Sequence, residues 1–105
     1  MELTITSEQK VTVTANPVTA AGNPAPIDGA LVVTVVSGDA TVVQDPATPL
    51  SFTLVSGVAG DSVCAVNGDA DPGTGVQNLS DTVTLHVVNP FAASFGLTAG
   101  APEPK

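Results

Sequence analysis

Polar and apolar residues alternate in short runs along this chain. Leu3–Thr6 and Val11–Ala15 each place every second side chain on one apolar face, and Leu50–Leu54 shows the most regular alternation. A period of two is that of a β-strand with one buried face. The alternation therefore predicts strands over these runs, with Phe52 as the leading candidate for a core anchor.

Further runs are rich in Val and Thr, which are stiff at χ1 and suit a pleated strand better than a helix. They predict strands over residues 30–36, 40–43, 61–67 and 82–88, and a last edge segment from Phe91 to Thr98. Because residues 30–36 are almost continuously apolar, they predict a central strand covered on both sides or a strand at an interface. Turn signals separate the strands, among them Asp28-Gly29, Ser37–Asp39 and the loop Gly68–Gly75.

About seven short strands with turn signals between them predict an all-β fold, specifically an immunoglobulin-like β-sandwich. The 105 residues suit one domain. We place this domain at residues 1–99 and expect a flexible C-terminal tail at residues 100–105. Cys64 is the one cysteine, so no intrachain disulfide forms, and it is expected to be a small residue in a half-buried strand.

Charge narrows the range of partners. Ten acidic residues against two lysines give a formal net charge of −8. Such a surface repels phosphate groups, so neither nucleic acid nor an anionic membrane is expected as a partner. The first residues, Met1–Thr4, have no basic start and no apolar run of signal-peptide length, so the chain is not expected to be secreted.

The residues that could carry chemistry are few. Catalysis would need a nucleophile, a base and an orienting group in one pocket, and the only histidine, His86, lies in an alternating strand. We therefore expect no enzyme, no catalytic residue and no cofactor. Asp69 and Asp71 could give two ligands to calcium, but Ser80 stands where an EF-hand loop has its glutamate. Turn formation is the favoured interpretation of these two aspartates, and no metal site is predicted.

The aromatic residues bear on partner binding. Only Phe52, Phe91 and Phe95 are present, whereas sugar recognition usually uses flat aromatic platforms. Phe91 and Phe95 lie four residues apart and share one face of an extended segment. They either close the core as part of a final strand or make an apolar contact with a partner protein. Both are therefore candidate partner-binding residues.

Several stretches of the chain together suggest a known family. Gln9–Val13, Gly22–Gly29, Gly68–Asp71 and the terminal Gly100–Glu103 resemble the small stand-alone bacterial immunoglobulin-like (Big-type) domain proteins of tailed phages and prophages. The resemblance covers essentially the whole chain. Those proteins often carry a tryptophan on the strand after the Asp-Gly turn, where this chain has Val32-Val33-Thr34.

The resemblance implies a function for this chain. Family members are taken as virion surface proteins, so we expect a non-enzymatic virion structural protein, an accessory or decoration subunit docking on a capsid or tail protein. Copies on a lattice would also contact each other as a homo-oligomer. The alternative is an adhesion module that binds a host glycan or surface protein through the loops Asn16–Asp28 and Gly68–Leu79.

Overall fold

The computed structural model describes residues 1–105 and contains seven strands and no helix. The strands are β1 (Glu2–Thr6), β2 (Lys10–Thr14), β3 (Ile27–Ser37), β4 (Thr41–Gln44), β5 (Ser51–Val55), β6 (Gly60–Ala70) and β7 (Gln77–Val88). They form a four-stranded sheet in the order β1-β7-β6-β3 and a three-stranded sheet in the order β2-β5-β4. Neighbouring strands are antiparallel except for β1 and β7, which are parallel. The predicted all-β fold is confirmed.

One hydrophobic core lies between the two sheets. Phe52 is only 3% exposed, which confirms it as a core residue, and Leu54 beside it in β5 is fully buried. Alternate positions of β3, β6 and β7 supply the facing side chains, as a period of two requires. The core cluster consists of Leu31, Ala40, Phe52, Leu54, Cys64, Val83, Leu85 and Val87.

The strands β6 and β7 are longer than the sequence predicts. β6 continues through Asp69 to Ala70, and β7 begins at Gln77 rather than at Thr82. The polar stretch Gln77–Asp81 pairs with the end of β6 in regular antiparallel register. One face of an antiparallel sheet can be solvated, so backbone pairing extends the ladder into a polar stretch that resembles a loop.

The strand β3 differs from the prediction in two ways. Asp28-Gly29 is not a turn between strands but lies inside β3, where the register shifts and Gly29 has a φ of 94°. A bulge of this kind favours glycine because a Cβ is disfavoured at positive φ. Moreover, β3 is an edge strand. The expectation of a central strand covered on both sides is wrong, since Val32 and Val36 are 59% and 65% exposed.

A buried serine fixes the turn between β3 and β4. Ser62 in β6 is 3% exposed, and its hydroxyl oxygen accepts the backbone N–H groups of Asp39 and Ala40, each at 3.1 Å. Gly38 lies so close to Ser62 that a Cβ there would overlap it. The turn predicted from Ser37–Asp39 is thus present, and its anchor is a side chain from a distant strand.

Candidate functional site

Strand structure ends at Val88, and every residue of the C-terminal segment, residues 89–105, is exposed. The molecule measures 82 × 27 × 26 Å. A strand of 12 residues, the longest here, spans about 40 Å. The sandwich therefore does not account for the longest dimension, and the C-terminal segment projects away from it. The predicted edge strand over Phe91–Thr98 is wrong for the isolated chain.

The C-terminal segment exposes its large apolar side chains. Phe91, Phe95 and Leu97 are 85%, 94% and 88% exposed. The interpretation of Phe91 and Phe95 as residues that close the core is therefore wrong, whereas a role in partner contact stays a prediction. These three residues and Ala93 occupy alternate positions, so an extended conformation would place all four on one side.

The sandwich and the C-terminal segment also differ in charge. Residues 1–88 hold nine of the ten carboxylates and one of the two lysines, which leaves −8 on the sandwich. The C-terminal segment has one of each, Glu103 and Lys105, and both follow the apolar stretch. The exposed Phe91–Leu97 stretch is therefore uncharged and can approach an apolar surface without desolvating an ion.

A second feature is an open edge of the four-stranded sheet. β1 pairs with β7 only from Thr84 to Val88, so no strand lies beside Gln77–Val83 on that side. The backbone contacts between the N-terminus and β7 end at Thr82, whose carbonyl oxygen accepts a hydrogen bond from the Met1 ammonium at 3.1 Å. Backbone groups of alternate residues point to the same side of a strand, so Asn78 and Ser80 continue this row without a strand opposite them.

A cavity lies between the sheets next to the open edge of β7. Its volume is about 380 Å³, and it reaches the core at Phe52 and Leu31. Leu79 shares the inward row of β7 with the buried Val83 and yet is 45% exposed, because no strand covers it. Apolar side chains from both sheets and the N-terminus line most of the cavity, and Asp81 of β7 lies beside them; the apolar residues include Met1, Val13, Leu31, Phe52, Val66 and Leu79.

On the outer face of the same sheet, His86 of β7 contacts carboxylates from β6 and β1. His86 Nδ1 lies 2.8 Å from Asp61 Oδ1, and its Nε2 lies 3.5 Å from Glu2 Oε1. The pKa of His86 is raised, mainly by its hydrogen bond with Asp61, and Glu2 adds to this effect. The sequence placed His86 correctly in a strand, but the two carboxylates come from distant positions that only the register brings together.

The aspartates considered as calcium ligands are engaged in bonds within the chain. Asp69 Oδ1 accepts a hydrogen bond from Asn78 Nδ2 at 3.1 Å. Asp71 Oδ1 accepts the backbone N–H groups of Gly73 and Gly75 at 2.8 and 3.4 Å. Asp71 therefore organises the loop between β6 and β7. The fold brings no group of three or more His, Cys, Asp or Glu side chains together as metal ligands.

Sequence comparison assigns no family to this chain. No protein-family model matches it, and no curated protein matches it significantly. The fold also contains no helix long and apolar enough to cross a membrane. The resemblance to phage immunoglobulin-like proteins therefore stays a prediction from the stretches named above, and the candidate functional features are the C-terminal segment and the open edge of β7.

Proposed function

We propose that this protein is a non-enzymatic structural subunit of a phage virion, an accessory or decoration protein that docks on a capsid or tail surface. The observation that carries the proposal is the C-terminal segment, whose uncharged stretch Phe91–Leu97 holds Phe91, Phe95 and Leu97 in solvent. Exposed apolar groups gathered in one place mark interaction sites. The C-terminal segment is accordingly the docking element, and the sandwich is the body that it attaches.

The order of the strands supports the immunoglobulin-like part of this proposal. In an immunoglobulin constant domain, strands B, E and D share one sheet and strands C, F and G share the other. Here β2, β5 and β4 form one sheet, and β3, β6 and β7 lie together in the other with β1 at its edge. Counting β2 as strand B and β7 as strand G makes the two divisions correspond.

Burial of apolar surface is the driving force of docking in this proposal. Fully burying one large apolar side chain contributes roughly 1.5–3 kcal/mol, so three such side chains support a contact that is weak in a single copy. Repetition on a lattice raises the effective strength through multivalency. The sandwich, with its charge of −8, stays solvated outside, where its charge opposes aggregation.

Purified virions test the proposal. We expect mass spectrometry to detect this chain in many copies per particle. A Phe91→Ser, Phe95→Ser variant is expected to lose particle binding and to keep its fold, because both rings are exposed in the free protein. The matched control is Val18→Ser with Val58→Ser, which also removes two exposed apolar side chains, 51% and 70% exposed, but from the sandwich.

Two outcomes would contradict the proposed function. Virions that lack this chain would exclude a virion role. Binding of the isolated protein to a glycan array would favour the adhesion alternative, and substitutions in the loops Asn16–Asp28 and Gly68–Leu79 would then abolish binding whereas the phenylalanine substitutions would not.

A further inference from the structure

Part of β7 has no neighbouring strand on one side. The C-terminal segment contains a stretch whose apolar residues alternate as in a β-strand, and this stretch pairs with no sheet. The open edge of β7 covers Gln77–Val83, and the alternating apolar stretch covers Phe91–Leu97. Met1 contacts the backbone of Thr82 and Thr84, so the backbone groups left free on this edge are those of Asn78 and Ser80. The cavity of about 380 Å³ beside the open edge lies where inward-facing side chains of an added strand would enter.

We propose that Phe91–Leu97 of one copy adds as a strand to the open edge Gln77–Val83 of a second copy. Its backbone pairs with the free groups of Asn78 and Ser80, and its phenylalanine rings enter the cavity over Phe52. The inference rests on the proposed function in one respect, that the C-terminal segment is the interaction element, and it names a second copy as the partner of this segment in protein that is not docked on a virion. Strand addition of this kind obtains affinity from main-chain hydrogen bonds and specificity from alternate side chains.

If Phe91 lies opposite Val83, the C-terminal segment of the same copy cannot reach the open edge of β7. β1 lies along β7 from Thr84 to Val88, a length of about 17 Å. Phe91 is three residues beyond Val88, and three residues span at most about 11 Å. Phe91 of the same copy therefore stops short of Val83 even when fully extended, so a strand with Phe91 opposite Val83 comes from another molecule.

The other edge of the same sheet is protected against strand addition. A bulge interrupts β3 between Asp28 and Val32. Gln44 Nε2 from β4 donates to the carbonyl of Leu31 at 3.0 Å, which occupies one acceptor that an added strand would need. Bulges, charges and covering groups are the usual protection of edge strands. The open part of β7 has no bulge, and the cavity beside it is lined mainly by apolar side chains, with Asp81 as the one charged side chain.

Charge favours contact through the C-terminal segment rather than between the faces of two sandwiches. Each sandwich carries −8, whereas the segment has no net charge. An uncharged strand approaches the open edge without repulsion of its own, while the two sandwiches still repel each other across the solvent. Salt screens such repulsion, with a Debye length of about 10 Å at 0.1 M and 3 Å at 1 M. Self-association by this route therefore strengthens as salt rises.

The conformation of the segment must change at Gly96 for a strand to form. Gly96 has a φ of 64° in the free chain, outside the strand region. Glycine moves between this conformation and an extended one at little cost because it has no Cβ. The proposed strand therefore forms from Phe91 to Leu97 only when the edge of a second copy is present.

Sedimentation of the full chain tests the proposal in solution, apart from any virion. We expect association that increases with protein concentration and with salt. The Phe91→Ser, Phe95→Ser variant is expected to stay monomeric under the same conditions, and the Val18→Ser, Val58→Ser control is expected to associate like the wild type.

A synthetic peptide of residues 89–99 tests the acceptor edge. It should bind to the full-length Phe91→Ser, Phe95→Ser variant, whose own segment is disabled. A control peptide with serine at both phenylalanine positions should bind at least about 100-fold more weakly, since it buries two fewer large apolar side chains. Adding Leu79→Arg to the acceptor chain should remove binding of the first peptide, because an arginine would then occupy the mouth of the cavity.

Disulfide formation distinguishes a second copy from the same copy. In a chain with Ser80→Cys and Ser94→Cys, which lie opposite each other when Phe91 is opposite Val83 and which leave Leu79 and both phenylalanines in place, oxidation is expected to give a ladder of linked chains on a non-reducing gel. Closure of each chain on itself would overturn the proposal, and so would a chain that stays monomeric at high salt without binding the peptide. Association that survives the phenylalanine substitutions would also overturn it. Absence of the protein from virions would contradict only the proposed function.

Discussion

The sandwich and the C-terminal segment both contain phenylalanine at alternating apolar positions, but only the sandwich buries it. Phe52 lies in an alternating strand whose apolar face is covered by the second sheet, and it is 3% exposed. Phe95 also lies in an alternating stretch, yet it is 94% exposed because no sheet is next to it. An alternation of apolar and polar residues therefore predicts that a stretch can form a strand with one apolar face. Whether that face is buried depends on the packing of the rest of the chain.

The largest expected effect on stability separates these two phenylalanines. Phe52→Ala is expected to lower the free energy of unfolding by roughly 3–5 kcal/mol, because it leaves a cavity in the core. Phe95→Ala in dilute, monomeric protein is expected to change it by less than about 0.5 kcal/mol, as exposed substitutions do. Urea unfolding followed by circular dichroism measures both. A similar loss for the two variants would show that the C-terminal segment belongs to the folded core.

A smaller effect compares two serines. Ser62→Ala removes the acceptor of the N–H groups of Asp39 and Ala40, and leaving a buried donor unpaired costs about 1–3 kcal/mol. Ser94→Ala is the matched control in the exposed C-terminal segment and is expected to be neutral. Thermal unfolding measures the difference. A neutral Ser62→Ala would mean that water replaces the hydroxyl group in the turn.

The smallest effect concerns the pH dependence of stability and the contacts of His86 with Asp61 and Glu2. The hydrogen bond to Asp61 raises the pKa of His86 in the folded protein, so folding favours the protonated imidazole. This contribution is complete below the unfolded pKa of about 6.5 and is lost as pH rises through the higher folded pKa. The wild type is therefore expected to lose melting temperature relative to His86→Gln between pH 6 and pH 8. Parallel pH profiles for the two proteins would contradict this assignment.

The sequence was most informative where alternation and burial coincide. Leu50–Leu54 gave both the strand β5 and the core residue Phe52. Prediction was poorer where the ladder continues through polar residues, as in Gln77–Asp81, because hydrogen bonds between backbones do not depend on side-chain polarity. Of the two alternatives for residues 30–36, the central strand covered on both sides is wrong, because β3 is an edge strand. Strand order depends on contacts between distant residues, which the local pattern does not contain.

The candidate site could be predicted only in part. The spacing of Phe91 and Phe95 predicts that they share one apolar face of an extended segment, which makes them partner-binding candidates, but their exposure depends on the end of the sandwich at Val88. The open edge of β7 could not be predicted, since it arises from the short overlap of β1 with β7. The contact of His86 with Asp61 and Glu2 depends on the same two registers. In each case the missing information is which strands are neighbours.

Amide hydrogen exchange tests the central claim most directly, namely that Phe91–Leu97 forms a strand only with a partner. The dilute protein is compared with the assembled protein, residue by residue. We expect the amides of residues 91–97 to exchange at the rate of an unstructured chain in the dilute sample and to become protected on assembly, while the core of β5 is protected in both. Protection of residues 91–97 in the dilute monomer, or no gain of protection on assembly, would contradict the claim.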